Sequence, residues 1–244
     1  MKCRLLVTVP LFISAFILPA KGFTQDSQAD SIFYKTANEN VLKIYLSNIK
    51  EQSGLLNGRM NIPYLFHFES GSPFFESETF MNSDVIYDGV RYSDIPIIYD
   101  QVSAMIIMHA PHGRLQLTSE KVARFTIEGH HFIRLEKDTL NKIATGFYEQ
   151  LYEGGIIVLK KVEKLIREDL QSGVVLRYIN QKDSYYLKDA SGYHPVKKKG
   201  EILDVLHDHK QELQQFIKKN KLNFRKDMSN AIVQLASYYD QLTR

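Results

Sequence analysis

The chain has no tryptophan, and its one cysteine, Cys3, precedes an apolar N-terminal run. If that run is removed on export, the remaining chain has no thiol chemistry, no disulfide and no cysteine-ligated metal. The lack of tryptophan argues against a dedicated sugar-stacking platform. No Gly-x-Ser-x-Gly elbow occurs, and Gly154-Gly155 is followed by no Lys-Ser/Thr pair, so neither the common hydrolase nucleophile nor a phosphate loop is present. No Asn-x-Ser/Thr sequon occurs either. For an exported chain, the absence of both sequon and disulfide points to a bacterial rather than a eukaryotic source.

What is present begins with a leader pattern. Lys2 and Arg4 form a basic tip, Leu5 to Ala20 an apolar run broken by Pro10, and Ala20-Lys21-Gly22 a small-residue step. The run is shorter than the roughly 20 residues a membrane span needs, and Cys3 stands on the wrong side of it for lipid attachment. Residues 1–22 therefore read as a signal peptide, with the product in the periplasm or outside the cell and with no transmembrane segment of its own. Removing them takes Lys2, Arg4 and Lys21 and no acid, so 31 basic residues against 28 acidic become 28 against 28. A balanced charge argues against nucleic acid as a partner.

The spacing of Ile32, Phe33, Ala37, Val41, Leu42, Tyr45 and Ile49 predicts an amphipathic helix within residues 23–53. From 54 to 199 short β-type runs alternate with Gly, Asp, Asn and Pro. Asp88-Gly89 predicts a type I′ hairpin pairing Tyr87 with Val90, Val85 with Tyr92, Ile86 with Arg91 and Asp84 with Ser93. Glu128-Gly129 predicts a second, gathering Phe125, Ile127, His130 and Phe132 on one face. Further turns are expected at Asn180–Asp183, setting Leu176–Ile179 against Tyr185–Lys188, and at Ala190–Gly192. Pro96 and Pro111 belong at strand edges or ends. Residues 200–244 predict two helices, one carrying Ile202, Leu203, Leu206, Leu213, Phe216 and Ile217, the other starting near Asp227 or Ser229. The fold class is α+β: a curved antiparallel sheet or partly open β-barrel, with an N-terminal helix and a C-terminal helix pair packed on it.

Three kinds of chemistry are open. His109 and His112, with His130 about 20 residues on, are the candidate metal ligands, for zinc or nickel. His131 would point to the other sheet face, and the spacing matches no established ligand pattern, so no cofactor is expected. Asp84, Asp88, Asp94 and Asp100 read as turn residues rather than a calcium loop, and His207 and His209 as polar-face residues of a helix. Tyr148, Tyr152, Tyr185, Tyr186 and Tyr193 are the candidate binding surface, if the sheet curves to present them. Lys197-Lys198-Lys199, with Lys218, Lys219, Lys221, Arg225 and Lys226, read either as a solvated rim at helix ends or as a contact for anionic lipid headgroups or an acidic partner.

Gly54-Leu55-Leu56-Asn57-Gly58, the run Val85 to Tyr92, Gly146-Phe147-Tyr148-Glu149-Gln150-Leu151-Tyr152, Leu222-Asn223-Phe224-Arg225 and Tyr238-Tyr239-Asp240 together resemble an uncharacterised family of exported β-rich proteins of Gram-negative bacteria. The resemblance implies export and a β-rich fold, and brings no activity or catalytic residue. The expectation is a non-enzymatic envelope module that binds an envelope protein or an apolar ligand, with peripheral contact to the outer membrane compatible with it. The alternatives are a hydrolase acting on an envelope or extracellular glycan, and a lipid or hydrophobe carrier.

Overall fold

The chain divides into residues 1–50 and 51–244, and the computed structural model describes the second part over residues 54–111, 113–140 and 143–243. The leader and the helix expected before residue 54 lie outside the described residues. Eleven strands form one open antiparallel sheet: β1 (Arg59–Met60), β2 (Met81–Tyr87), β3 (Val90–Asp100), β4 (Met105–Ala110), β5 (Gly113–Gln116), β6 (Val122–Ile127), β7 (His130–Leu135), β8 (Gly146–Glu153), β9 (Ile157–Gln171), β10 (Val174–Asp189) and β11 (Gly192–Val196). Their spatial order is β1-β5-β4-β3-β2-β6-β7-β8-β9-β10-β11. Three helices follow, α1 (Lys199–Val205), α2 (Lys210–Lys219) and α3 (Met228–Leu242). Among the described residues no helix is long and apolar enough to cross a membrane.

Turn chemistry accounts for most of the sheet. Asp88 and Gly89 both have positive φ, 52° and 78°, as a type I′ turn requires. Tyr87 faces Val90, Ile86 faces Arg91 and Val85 faces Tyr92, as the two-residue loop dictates. Beyond Val85 the register shifts, so that Ser83 faces Ile95 and Asp84 has no ladder partner in Ser93. Asp94, left-handed at φ 58°, takes up the extra residue on β3. Glu128-Gly129 makes the second hairpin, with Ile127 facing His130 and Phe125 facing Phe132. Pro96 lies inside β3 opposite Asn82, one residue before the pairing of β3 with β4 begins at Ile97.

Two expectations are corrected. The turn placed at Asn180–Asp183 is absent, because those residues continue β10, and the reversal occurs at Ser172-Gly173, left-handed at φ 51° and 84°. The polar character of 180–183 reflects an exposed stretch of a long two-stranded ribbon rather than a loop. The first C-terminal helix is two, broken by a tight three-residue turn at His207–His209. Its apolar spacing is helical throughout, but Asp and His are poor helix formers and Leu206 departs from helical geometry at ψ 43°.

The sheet is covered on both faces. Val158, Leu187 and Val196 pack against Ile202, Leu206, Leu213, Ile232 and Leu235 of the helices. On the other face Tyr148, Leu159 and Tyr186 pack with Ile143. Further along, Tyr99, Phe125, Phe132 and Phe147 form an aromatic cluster with centroids 4.7–5.8 Å apart. Each such buried side chain contributes about 1.5–3 kcal/mol relative to exposure.

One polar group ties the helical layer to the strands. Asp240, on the buried face of α3, accepts hydrogen bonds from the Tyr152 hydroxyl at 2.9 Å and from the backbone N–H of Gly155 at 2.7 Å and of Ile156 at 3.2 Å. Gly154 must lack a side chain there, because a Cβ would stand 1.9 Å from the Asp240 carboxylate. Asp240→Asn, whose amide cannot accept at both positions, is expected to lower the unfolding free energy by about 2–3 kcal/mol. Urea denaturation checks this, with Gly154→Ala expected to lose a comparable amount.

Candidate functional site

The sequence-predicted tyrosines do not share one surface. Tyr148 is fully buried, its hydroxyl donating to the Ala144 carbonyl at 2.7 Å. Tyr186 lies edge-on to it at 5.5 Å. Tyr193, packed beside them, lies under the Lys188 ammonium at 5.2 Å. Tyr152 and Tyr185 pack under the helices instead, bonded to Asp240 and, at 2.9 Å, to the Ser229 hydroxyl. Burial pushes the Tyr148 and Tyr186 hydroxyls up from their ordinary value. These side chains hold layers together.

The histidines also separate. His109, on β4, packs against Phe80 at 5.3 Å, whereas His130, on β7, holds the buried Glu149 carboxylate through Nδ1 at 2.6 Å. His112 lies outside the described residues. Among the described residues no group of three or more His, Cys, Asp or Glu is arranged to hold a metal. Asp84 pairs with Arg91 at 2.7 Å and Asp88 with Lys121 at 3.1 Å. Asp100 accepts from Tyr64 and from the backbone N–H of Val102 and Ser103.

Two clusters that the sequence did not disclose arise from strand register. Glu149 faces Lys160 across β8 and β9, and Lys160 reaches Asp183 of β10 at 3.0 Å, extending the His130–Glu149 pair into a charged row over four strands. Burial works against charge on Lys160, but the hydrogen bond and field of Asp183, with the fields of Tyr185 and Glu149, raise its pKa overall. At the β10–β11 turn, Ser191, His194 and Asp189 meet. Their geometry is a clamp rather than a triad, because the Ser191 hydroxyl and the Asp189 carboxylate both approach the same nitrogen, His194 Nε2, at 3.0 Å.

The basic runs do converge. Lys197, Lys198 and Lys199 lead from β11 into α1, and Lys218, Lys221 and Arg225 lie about the end of α2. Together they line one cleft of about 1100 Å³. Val196 and Ile202, both buried, anchor the first run. The second is fixed by the end of α2, where the N–H of Leu222 bonds the Ile217 carbonyl at 3.1 Å and that of Lys221 bonds the Lys218 carbonyl at 3.3 Å. This pair of bonds is a Schellman termination, which favours glycine at the left-handed position. Lys221 occupies it at φ 52°. Stacking of Phe216 on Tyr238 at 4.1 Å holds α2 against α3.

The apolar residues lining the cleft are Ile217, Leu222 and Phe224, and no acidic residue lines it. Glu201 lies nearby, accepting from the Lys197 backbone N–H at 2.7 Å and pairing with Lys198 at 3.8 Å. Among the described residues no ion pair joins Lys197, Lys199, Lys218, Lys221 or Arg225 to an acid. What the arrangement can do chemically is neutralise a concentrated negative charge beside an apolar surface. No family model matches the chain, and no curated protein or solved structure matches it.

The turn clamp has a pH signature. Burial alone would raise the Asp189 pKa, but hydrogen bonds from Ser191 and His194 outweigh it and hold the carboxyl at about 2. A depressed carboxyl stabilises the fold above its unfolded value of about 3.9, and that contribution is lost as pH falls through about 2. Urea midpoints of the wild type and Asp189→Asn are therefore expected to differ above pH 4 and to converge toward pH 2.

Proposed function

We propose that the protein is an exported, non-enzymatic binding module of the bacterial envelope that captures an anionic partner in its C-terminal basic cleft. The observation that carries this reading is the convergence of two lysine runs, about 20 residues apart in sequence, around one cleft without acidic lining. The leader pattern of residues 1–22 supports export. The balanced charge of the rest of the chain makes the cleft a local feature rather than part of a basic surface for nucleic acid. His130, Asp84, Asp88, Asp94 and Asp100 already hold turns or strand pairs, which favours binding over hydrolysis. The long β9–β10 ribbon is tied back to the body by the Lys164 ammonium on the Ser72 and Phe74 carbonyls, in keeping with a curved, half-open sheet.

Lys221 gives the reading a test in which stability and function move in opposite directions. A lysine in the left-handed position costs about 1 kcal/mol relative to glycine, so Lys221→Gly is expected to raise the urea midpoint while weakening anion binding. The binding readout is titration of inorganic pyrophosphate into isotope-labelled protein. Amide shifts are expected at residues 197–200 and 218–225, with an affinity that falls as salt is raised. Shifts confined to other regions, or none, would overturn the assignment.

A further inference from the structure

We infer that the ligand of the basic cleft is a phosphate-headed amphiphile, whose head is held by the lysine rim and whose chain lies on Ile217, Leu222 and Phe224. This rests on the anion-binding reading and narrows it to one class of ligand. Two features of the cleft select that class.

The first is charge density. Six cations line one cleft, and a carboxylate would neutralise only one of them. A phosphate monoester brings a charge of about −1.5 to −2 and three acceptor oxygens in the volume of one group. Five of the six cations are lysines, whose compact ammonium groups meet phosphate as point charges and impose no planar fork geometry.

The second is the apolar lining. A bound peptide brings an N–H and a C=O at every residue, and each needs a partner once water is excluded. The cations can donate to the carbonyls, but the cleft has few acceptors for the N–H groups. Its neutral polar side chains are Gln214 and Asn223, and the Asn223 side-chain oxygen is already engaged by the backbone N–H of Arg225 and Lys226, both at 3.1 Å. An alkyl chain makes no such demand and gains from contact with the half-buried Leu222 and Phe224, beside the buried Ile217. At about 1100 Å³ the cleft lies slightly above the roughly 300–1,000 Å³ of ordinary ligand sites, which leaves room for head and chain together.

The experiment is isothermal titration calorimetry of the purified protein with inorganic phosphate and with ethyl, butyl, hexyl and octyl phosphate. Affinity is expected to rise by about two- to fourfold per methylene, the upper figure marking full burial. The triple variant Lys199→Gln/Lys218→Gln/Lys221→Gln, folded by circular dichroism, is expected to lose about tenfold or more across the whole series. A flat series with intact phosphate binding overturns the amphiphile and leaves anion capture standing. Tighter binding of hexaglutamate than of octyl phosphate does the same in favour of an acidic peptide. If no anion binds, or the triple variant binds like the wild type, the anion-binding reading falls as well. Cosedimentation with phosphatidylcholine vesicles carrying one part in five phosphatidic acid then separates the sources. Retention assigns a bilayer lipid, and soluble binding without retention assigns a free amphiphile; either upholds the inference.

Discussion

The position of the helical layer depends on the carboxylate of Asp240. A buried charge is tolerated only when it is fully hydrogen-bonded, and Asp240 meets that condition with a phenol and two backbone N–H groups from the β8–β9 turn. The bare backbone at Gly154 lets the carboxylate approach, since any side chain there would displace it. Because three donors converge on one side chain, α3 has a single docked position. The apolar contacts of Ile232, Leu235 and Ala236 are non-directional and would tolerate sliding.

The cleft inherits its shape from that docking. With α3 fixed, the Phe216–Tyr238 stack places α2, and the end of α2 brings Lys218 and Lys221 beside the run that leaves β11. A group of like charges in one concavity raises the free energy of the empty protein, and Lys221 adds backbone strain at φ 52°. Glycine at position 221 would relieve both costs.

Much of the sheet was legible because its determinants are local. Asp88-Gly89 and Glu128-Gly129 specify turns by their tolerance of positive φ, and a two-residue turn fixes the pairing of the strands it joins. Ser172-Gly173 carries the same signal, but the polar stretch 180–183 imitates a loop, because polarity marks exposure, which a ribbon projecting from the sheet shares with a turn. The apolar spacing from Ile202 to Ile217 predicts one helix because periodicity reports which side is buried, not whether the backbone is continuous. Of the candidate site, the lysine runs were visible as composition. Their meeting was not.

Sequence by itself determined the leader pattern, the hairpin registers at residues 85–92 and 125–132, and the poverty of thiol and sequon chemistry; it narrowed the cap of α3 to Asp227 or Ser229, and the structure places it at Asp227, whose side chain accepts from the Asn230 N–H. These depend on residues within a few positions of one another, where backbone sterics act directly. Only the tertiary structure decided that five tyrosines would divide between two faces, that Glu149, Lys160 and Asp183 would form one row, and that lysines at 197–199 would share a cleft with lysines at 218 and 221. Such groupings are sums of registers and docking angles over tens of residues, and a shift of one residue in a strand would send each side chain to the opposite face.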